Sequence, residues 1–446
     1  MYTRGVLIFR RFCDIIIKRF DTHGDFMKNY VYTADIYLPS LDGENGTRWA
    51  TVACDQYTSE REYWEAAESY IGDAPSTLRL MLPEAYLERE SEEIPKINAR
   101  MCEYLDGGVL KCHENAMIYL ERTQSDGRVR RGLVCAIDLE DYDYTRGSVT
   151  PTRATEGTVL ERIPPRVAIR RGAALEMPHV MILIDDPEKT VIEPIAKKAD
   201  ALSVAYDFEL MANSGHVKGY FLGGDECDEI NSALGALCSD GVMKKKYGVD
   251  APALLFAIGD GNHSLASAKS LYKEIKAEIG EEAAKSHPAR FALCEIVNLH
   301  DEALEFEPIY RVVFGVDREE FKRELSSYIS SLCGDAAEQK LTLVWAGGEE
   351  MFSVKSPKAQ LTVGTVQDFL DGYLKRHPEA SVDYIHGIES TRMLANGENT
   401  IGILFEGMEK NELFKTVICD GALPRKTFSM GHAADKRFYI ECRKIR

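Results

Sequence analysis

The segment LLFAIGDGNHSLASAKSLYKEIK, residues 254–276, constrains the fold more than any other stretch of the chain. Its apolar run Leu254-Leu255-Phe256-Ala257-Ile258 stops abruptly at Gly259-Asp260-Gly261-Asn262-His263. Beyond it, Leu265, Ala268, Leu271, Tyr272, Ile275 and Ile279 recur at helical spacing between lysines and glutamates. This pattern reads as a buried strand, a tight polar turn and a helix. Such a turn aims unpaired helix amides, with the positive end of the helix dipole, at whatever lies above the strand end. An anion, most often a phosphate, is the natural occupant. The same residue types also suit a plain helix cap, because glycine supplies positive φ and Asp260, Asn262 and Ser264 are capping residues. His263 is the exception, since a cap does not need an imidazole.

The rest of the chain alternates strand-like and helical patterns. Two short strands flank a loop near residues 34–53, a hairpin turns at Ser125-Asp126-Gly127, and another turns at Asn213-Ser214-Gly215. Helices are expected after the polar turn at residues 54–59, over 82–104 with a break at Pro95, and over 226–245. Residues 141–166 read as a loop. The alternation implies an α/β fold of mixed sheets and helices. We expect a disordered translated leader over residues 1–26, because Met27 opens an ordinary start and the codons of Gly24-Asp25 suit a ribosome-binding sequence. The remaining regions are an N-terminal α/β region at 27–145, a phosphate- or nucleotide-binding core at 146–320 and a C-terminal α/β region at 321–446.

A formal net charge of -18 argues against general affinity for nucleic acid or anionic membrane, both of which require a basic footprint. The 11 cysteines include no CxxC pair, and Cys135 and Cys294 sit in apolar runs. They behave as small hydrophobes in a reducing compartment, which with the lack of any apolar run of transmembrane length points to the cytoplasm.

A second constellation is Arg153-Ala154-Thr155-Glu156-Gly157-Thr158, followed by Arg162 and Arg166 around Pro164-Pro165. Arginine forks bind phosphate or carboxylate, threonine hydroxyls bind phosphate or metal-bound water, and a glutamate among them can serve as general base or magnesium ligand. A solvated loop with internal ion pairs is the competing reading. Asp185-Asp186 at a strand end could hold a divalent ion or simply open a turn before Pro187. Cys54, His386 and the pair Arg425-Lys426 are weaker candidates. No Walker loop, GxGxxG or HExxH motif is present.

Taken together, ADIYLP, WATVACDQYTSEREYW, DAPSTLRLMLPEAYL, TRATEGTVLERIPPR, PHVMILIDDP, GDGNHS, IYRVVF, DYIHG and LPRKTFSMGHAADKRFY resemble the family catalogued as domain of unknown function 1015. The resemblance runs from about Met27 to the C-terminus. Members are often labelled ParB-like because a DGHHR turn resembles phosphate-binding turns of ParB-like sites, sulfiredoxins and archaeal free-serine kinases. Here Asp260, Gly261 and His263 match that turn, while Asn262 and Ser264 replace its first histidine and its arginine. Glu156, Thr158 and Arg311 match two further family elements, in which Thr155 and Tyr310 replace histidines.

The resemblance implies a ParB- or sulfiredoxin-like nucleotide-binding core. It also implies a phosphotransferase acting on a small polar metabolite, with a nucleoside triphosphate and Mg2+ as cofactors. In that reading Asp260, Gly261, Asn262, His263 and Ser264 hold phosphate, Arg153, Thr158, Arg162, Arg166 and Arg311 assist, and Glu156 and His263 take part in catalysis. A non-catalytic nucleotide or metabolite sensor built on the same turn is the alternative. ParB-like DNA association is the third reading, disfavoured by the acidic chain.

Overall fold

Alternation along the strands decides which faces of the main sheet are covered. In the computed structural model, which describes residues 28–239 and 241–446, nine strands form one mixed sheet. The order across it is Ser203–Glu209, His216–Phe221, Ile118–Thr123, Val129–Asp138, Phe291–Asn298, Met181–Ile184, Phe256–Asp260, Thr152–Ala154 and Tyr142–Asp143. In the central strands Ile182, Ile184, Ile258 and Ile296 pack on one face with the helices Gly224–Leu237 and Asn262–Ile279. Met181, Leu183, Ala257 and Val297 join the core on the other face. This period of two with apolar residues on both sides is the signature of strands buried twice over.

A second, antiparallel sheet orders Gly348–Val354, Gln339–Trp345, Thr400–Phe405, Phe306–Phe314 and Ser381–His386, with Phe428–Met430 paired to the start of Phe306–Phe314. Phe321 of helix Arg318–Ser331 and Phe369 and Tyr373 of helix Thr362–Arg376 contribute to its core. The C-terminal segment then returns to the beginning of the chain. Phe438–Tyr439 pairs with Thr51–Val52, and Cys442–Lys444 lies between Ala34–Leu38 and Leu175–Glu176. The nine-stranded sheet takes strands from both sides of position 145, and the last strands join the first.

The α/β class expected from the sequence is the one observed, and both hairpins turn where expected. Several elements differ. Residues 44–49 are helical, leaving only Thr51–Val52 as strand. The expected loop before residue 166 contains the strand Thr152–Ala154 and the start of helix Ile163–Arg171. Pro164 and Pro165 begin that helix, where a missing amide costs nothing. The helix expected over 226–245 is two helices, Gly224–Leu237 and Val242–Tyr247, separated where Gly241 takes φ +79°. Pro95 sits inside Glu90–Asp106 without ending it, because Ile97, Met101 and Tyr104 bury the same face. The leader expected over 1–26 lies outside the described residues.

Candidate functional site

The strand Phe256–Asp260 runs into Gly261, which takes φ +79° and begins helix Asn262–Ile279. A side chain here would be strained, and its Cβ would lie 3.0 Å from the Cα of Val180, so glycine is required twice over. The first intrahelical bond runs from the Leu265 amide to the Gly261 carbonyl. The amides of Asn262, His263 and Ser264 precede it, and no side chain caps them. They are the uncapped helix start anticipated from the sequence.

Two side chains of the turn hold the neighbouring loop. Asn262 Oδ1 accepts from the Thr155 amide at 3.3 Å, its Nδ2 lies 3.4 Å from Thr155 Oγ1, and that hydroxyl donates to the Ile258 carbonyl at 2.5 Å. His263 Nε2 accepts from the Val159 amide at 3.2 Å. Burial, followed by the neighbouring Arg166 and Arg162 charges, lowers the His263 pKa and favours the neutral ring this bond needs. The result brings Glu156 beside Asp260. Burial raises the Glu156 pKa, Asp260 adds to the effect, and Lys426 and Lys436 oppose it.

Asp260 accepts from the Gly261 amide at 2.9 Å and pairs with Lys436 Nζ at 3.0 Å. Burial is the largest influence and disfavours its charge, but Lys436, His179 and the Gly261 amide together hold the carboxyl below its usual range. Turn and loop open into a cleft of about 920 Å³, whose wall includes Glu156, Arg162, Arg166, His179, residues 259–264, Lys426, Lys436 and Tyr439. Arg166 pairs with Glu84 and donates to the Arg162 carbonyl at 3.0 Å. Arg162 and Lys426 have no hydrogen-bonded or ion-paired side-chain partner among the described residues, and neither does the Ser264 hydroxyl. Arg162 and Lys426, without an ion-paired side chain among the described residues, therefore line the same cleft as the uncapped amides of Asn262 to Ser264.

Sequence reasoning missed Lys436, His179 and Tyr439 and gave Lys426 little weight. A detectable signal exists: Arg425, Lys426, His432, Lys436 and Arg437 form a basic stretch in a strongly acidic chain. His179 Nδ1 lies 2.8 Å from Tyr439 Oη, which donates to Cys54 Sγ at 3.1 Å. Burial pushes the Cys54 thiol up to about 12, so it is a structural thiol rather than a nucleophile.

The structure does not bring every expected residue to the cleft. Arg153 is buried and donates to the carbonyls of Thr150, Pro252 and Ala253, so its fork ties loops together and has no room for phosphate. Arg311 is wholly buried and likewise donates to backbone carbonyls, at Ile309, Arg425 and Lys426. Thr158 is not part of the cleft wall, and its buried hydroxyl has no partner. Asp186 accepts from the amides of Thr190 and Val191, and Asp185 pairs with Lys246 at 2.9 Å and His300 at 2.6 Å. The pair is therefore committed to a turn and to protein cations. Among the described residues no group of three or more His, Cys, Asp or Glu side chains is arranged to hold a metal. His386 pairs with Glu307 at 2.8 Å, away from the cleft wall. No helix among the described residues is long and apolar enough to cross a membrane.

Comparison with known proteins gives one family match. The model described as protein of unknown function (DUF1015) matches residues 40–373. No curated protein matches the chain. Among solved structures, a conserved hypothetical protein from Pyrococcus furiosus is similar at 12% identity and a TM-score of 0.35, over 70% of this chain and 95% of that one. A free serine kinase in complex with AMP is similar at 13% identity and a TM-score of 0.37, over 70% of this chain and 92% of that one. A variant of such a kinase in complex with ADP is similar at 12% identity and the same TM-score, over 71% and 93%. These likenesses are distant, and the chemistry of the cleft rests on its own geometry.

Proposed function

We propose, from the premise that the chain belongs to the DUF1015 family, that the cleft binds a nucleotide through its phosphates and transfers a phosphoryl group to a small polar acceptor. One observation carries the reading. The uncapped amides of Asn262 to Ser264 open into the same cleft as Arg162, Lys426 and Lys436. Phosphate oxygens need aligned amides and cations together, and positioned charge is the main source of catalysis in phosphoryl transfer.

In this reading the amides after Gly261 and the Ser264 hydroxyl receive one phosphate, while Lys426 and Arg162 neutralise the remaining charge. Lys436 stays on Asp260 and fixes the turn. Glu156 is the general base: burial makes its carboxylate more basic than usual, suiting it to take the acceptor hydroxyl proton. The acceptor oxygen then bonds to phosphorus as the bond to the leaving phosphate oxygen breaks. His263 holds the loop through Val159 instead of carrying the proton. Magnesium, if used, would come in on the nucleotide phosphates and would neutralise their charge. No group of three or more His, Cys, Asp or Glu side chains among the described residues is arranged to hold it alone.

A non-catalytic sensor is the second reading, favoured by one observation: Asn262 and His263 are engaged by the loop and are not free for chemistry. A thermal-shift series with ATP, ADP and AMP, with and without Mg2+, tests the binding claim, because a ligand of the folded state raises Tm. Phosphorus NMR of ATP with a panel of hydroxyl metabolites then separates the readings. A phosphorylated product that Glu156→Gln abolishes supports transfer. Binding without product supports the sensor, and no Tm shift with any nucleotide rejects both.

A further inference from the structure

Arg311 is the largest wholly buried cation of the second sheet, and its contacts point to one task. Its Nη1 donates to the Lys426 carbonyl at 3.0 Å and its Nη2 to the Arg425 carbonyl at 2.9 Å. Gln367 Oε1 receives Nε at 3.4 Å and Nη2 at 3.3 Å, and the guanidinium lies 4.9 Å from the Tyr384 ring centroid. Among the described residues no carboxylate forms an ion pair with it. A buried guanidinium satisfied by carbonyls is a rigid clamp on the backbone that supplies them.

The clamped backbone is unusual. Lys426 takes φ +53°, a left-handed conformation that a non-glycine residue keeps only when its surroundings determine it. The loop is fixed on either side as well. The Leu423 amide donates to the Thr155 carbonyl at 2.6 Å, and Thr427 Oγ1 donates to the Pro424 carbonyl at 2.6 Å. Arg425 is drawn outward to Tyr384 and Asp371, so only Lys426 of the two faces the cleft. There its charge acts on Glu156, across the strand bridge between Glu156 and Leu423.

We propose that Arg311 is a positioning residue that holds the 425–426 backbone in its left-handed turn, so that the Lys426 ammonium meets the phosphate-bearing ligand opposite the Gly261 turn. The proposal rests on the phosphate reading of the cleft. It replaces direct phosphate contact by Arg311 with contact through Lys426, one residue across a pair of carbonyls.

The test uses the full chain with lysines reductively methylated with 13C, which keeps their charge. The Lys426 signal is assigned by its loss in Lys426→Arg. Without ligand, Arg311→Met is expected to move the Lys426 signal and leave that of Lys436 in place. With ADP and with inorganic pyrophosphate, Lys426→Ala and Arg311→Met are each expected to weaken binding about tenfold, the scale of one charged contact. The double variant should bind no more weakly than Lys426→Ala alone. A Lys426 signal unmoved by Arg311→Met overturns the proposal, as does further loss of affinity when Arg311→Met is added to Lys426→Ala. If Arg311→Met does not fold, Thr427→Val releases the same loop from its other side and carries the same expectations. A wild-type chain that binds neither ADP nor pyrophosphate rejects the reading of the cleft, while the ligand-free signal still decides the clamp.

Discussion

Lys436 and Arg437 are neighbours in the chain and lie in two opposite kinds of site. Arg437 is buried with Arg130, Glu295 and Glu441, and its guanidinium meets Glu295 at 2.5 Å, Glu441 at 2.6 Å and the Pro178 carbonyl at 2.9 Å. Arg130 meets Glu295 at 3.1 Å, and Tyr206 donates to Glu441. In that cluster each acid faces an arginine and water is excluded. Lys436 instead lines the cleft, paired with Asp260 beside amides and cations that have no protein partner. Successive residues of an extended segment point to opposite sides, which is how one short stretch serves both. The difference separates charge that closes a fold from charge that we propose is held for a ligand.

The closed cluster breaks most severely. Glu295→Ala leaves Arg130 without its paired carboxylate and Arg437 with Glu441 alone, and removal of one buried partner costs about 3–5 kcal/mol. Urea denaturation should show that loss; a change of under 1 kcal/mol would mean the cluster is not the closed network described. Gly261→Ala comes next, because positive φ and the approach of Val180 act together. About 1–3 kcal/mol of stability should be lost, and nucleotide affinity with it. Unchanged ADP binding in calorimetry would show that the turn is not the phosphate seat.

Asp185 sharpens the contrast through pH. It was a candidate metal ligand, yet it belongs to the closed kind of site. Burial opposes its charge, but His300, Tyr247 and Lys246 together bring its pKa down to about 2 from 3.8. A depressed carboxylate stabilises the fold above its unfolded pKa and loses that contribution as pH falls through the folded one. The gain is therefore complete near neutrality, of order 2 kcal/mol, and is lost between about pH 4 and 2. Asp185→Asn should lower stability at pH 7 and flatten this acid limb of the denaturation profile. A limb equally steep in the variant would assign the pH dependence elsewhere.

The sequence made the strand, glycine turn and helix legible because their signals are local: an apolar run, a glycine and a helical period within 23 residues. The partners of that turn are not local. Lys436 lies 176 residues from Asp260, and the return of the C-terminal strands to the first strands of the chain brings them together. The arginines failed for a different reason. Arg153, Arg162 and Arg166 are the same residue type in similar polar surroundings, and nothing in the sequence says which guanidinium will meet carbonyls and which will meet solvent, whereas Arg311 lies in the apolar run Ile309–Phe314, a signal of burial that was not used. Arg153 and Arg311 are internal clamps, Arg166 is half engaged by Glu84, and Arg162 has no side-chain partner among the described residues. The missed start of helix Ile163–Arg171 shows the same limit, since two prolines read as a loop until the packing of Ile163 and Val167 is seen.

Arg162 gives the smallest structural effect and the cleanest division between the two kinds of charge. It is exposed on the cleft, precedes a helix that Ile163 and Val167 anchor, and has no side-chain partner to lose. Arg162→Ala should therefore change unfolding free energy by less than about 0.5 kcal/mol, the ordinary result for a surface site. Affinity for ADP should fall, and the fall should shrink as salt rises, because an exposed cation acts through a screened field. Calorimetric titration at two ionic strengths, beside a melting curve, reads both effects. A destabilised variant with unaltered ADP affinity would place Arg162 with the closed charges and leave Lys426 as the cleft cation without a protein partner. An intact fold with weakened, salt-sensitive binding would confirm that the cleft keeps its charge for a ligand, as its free amides do.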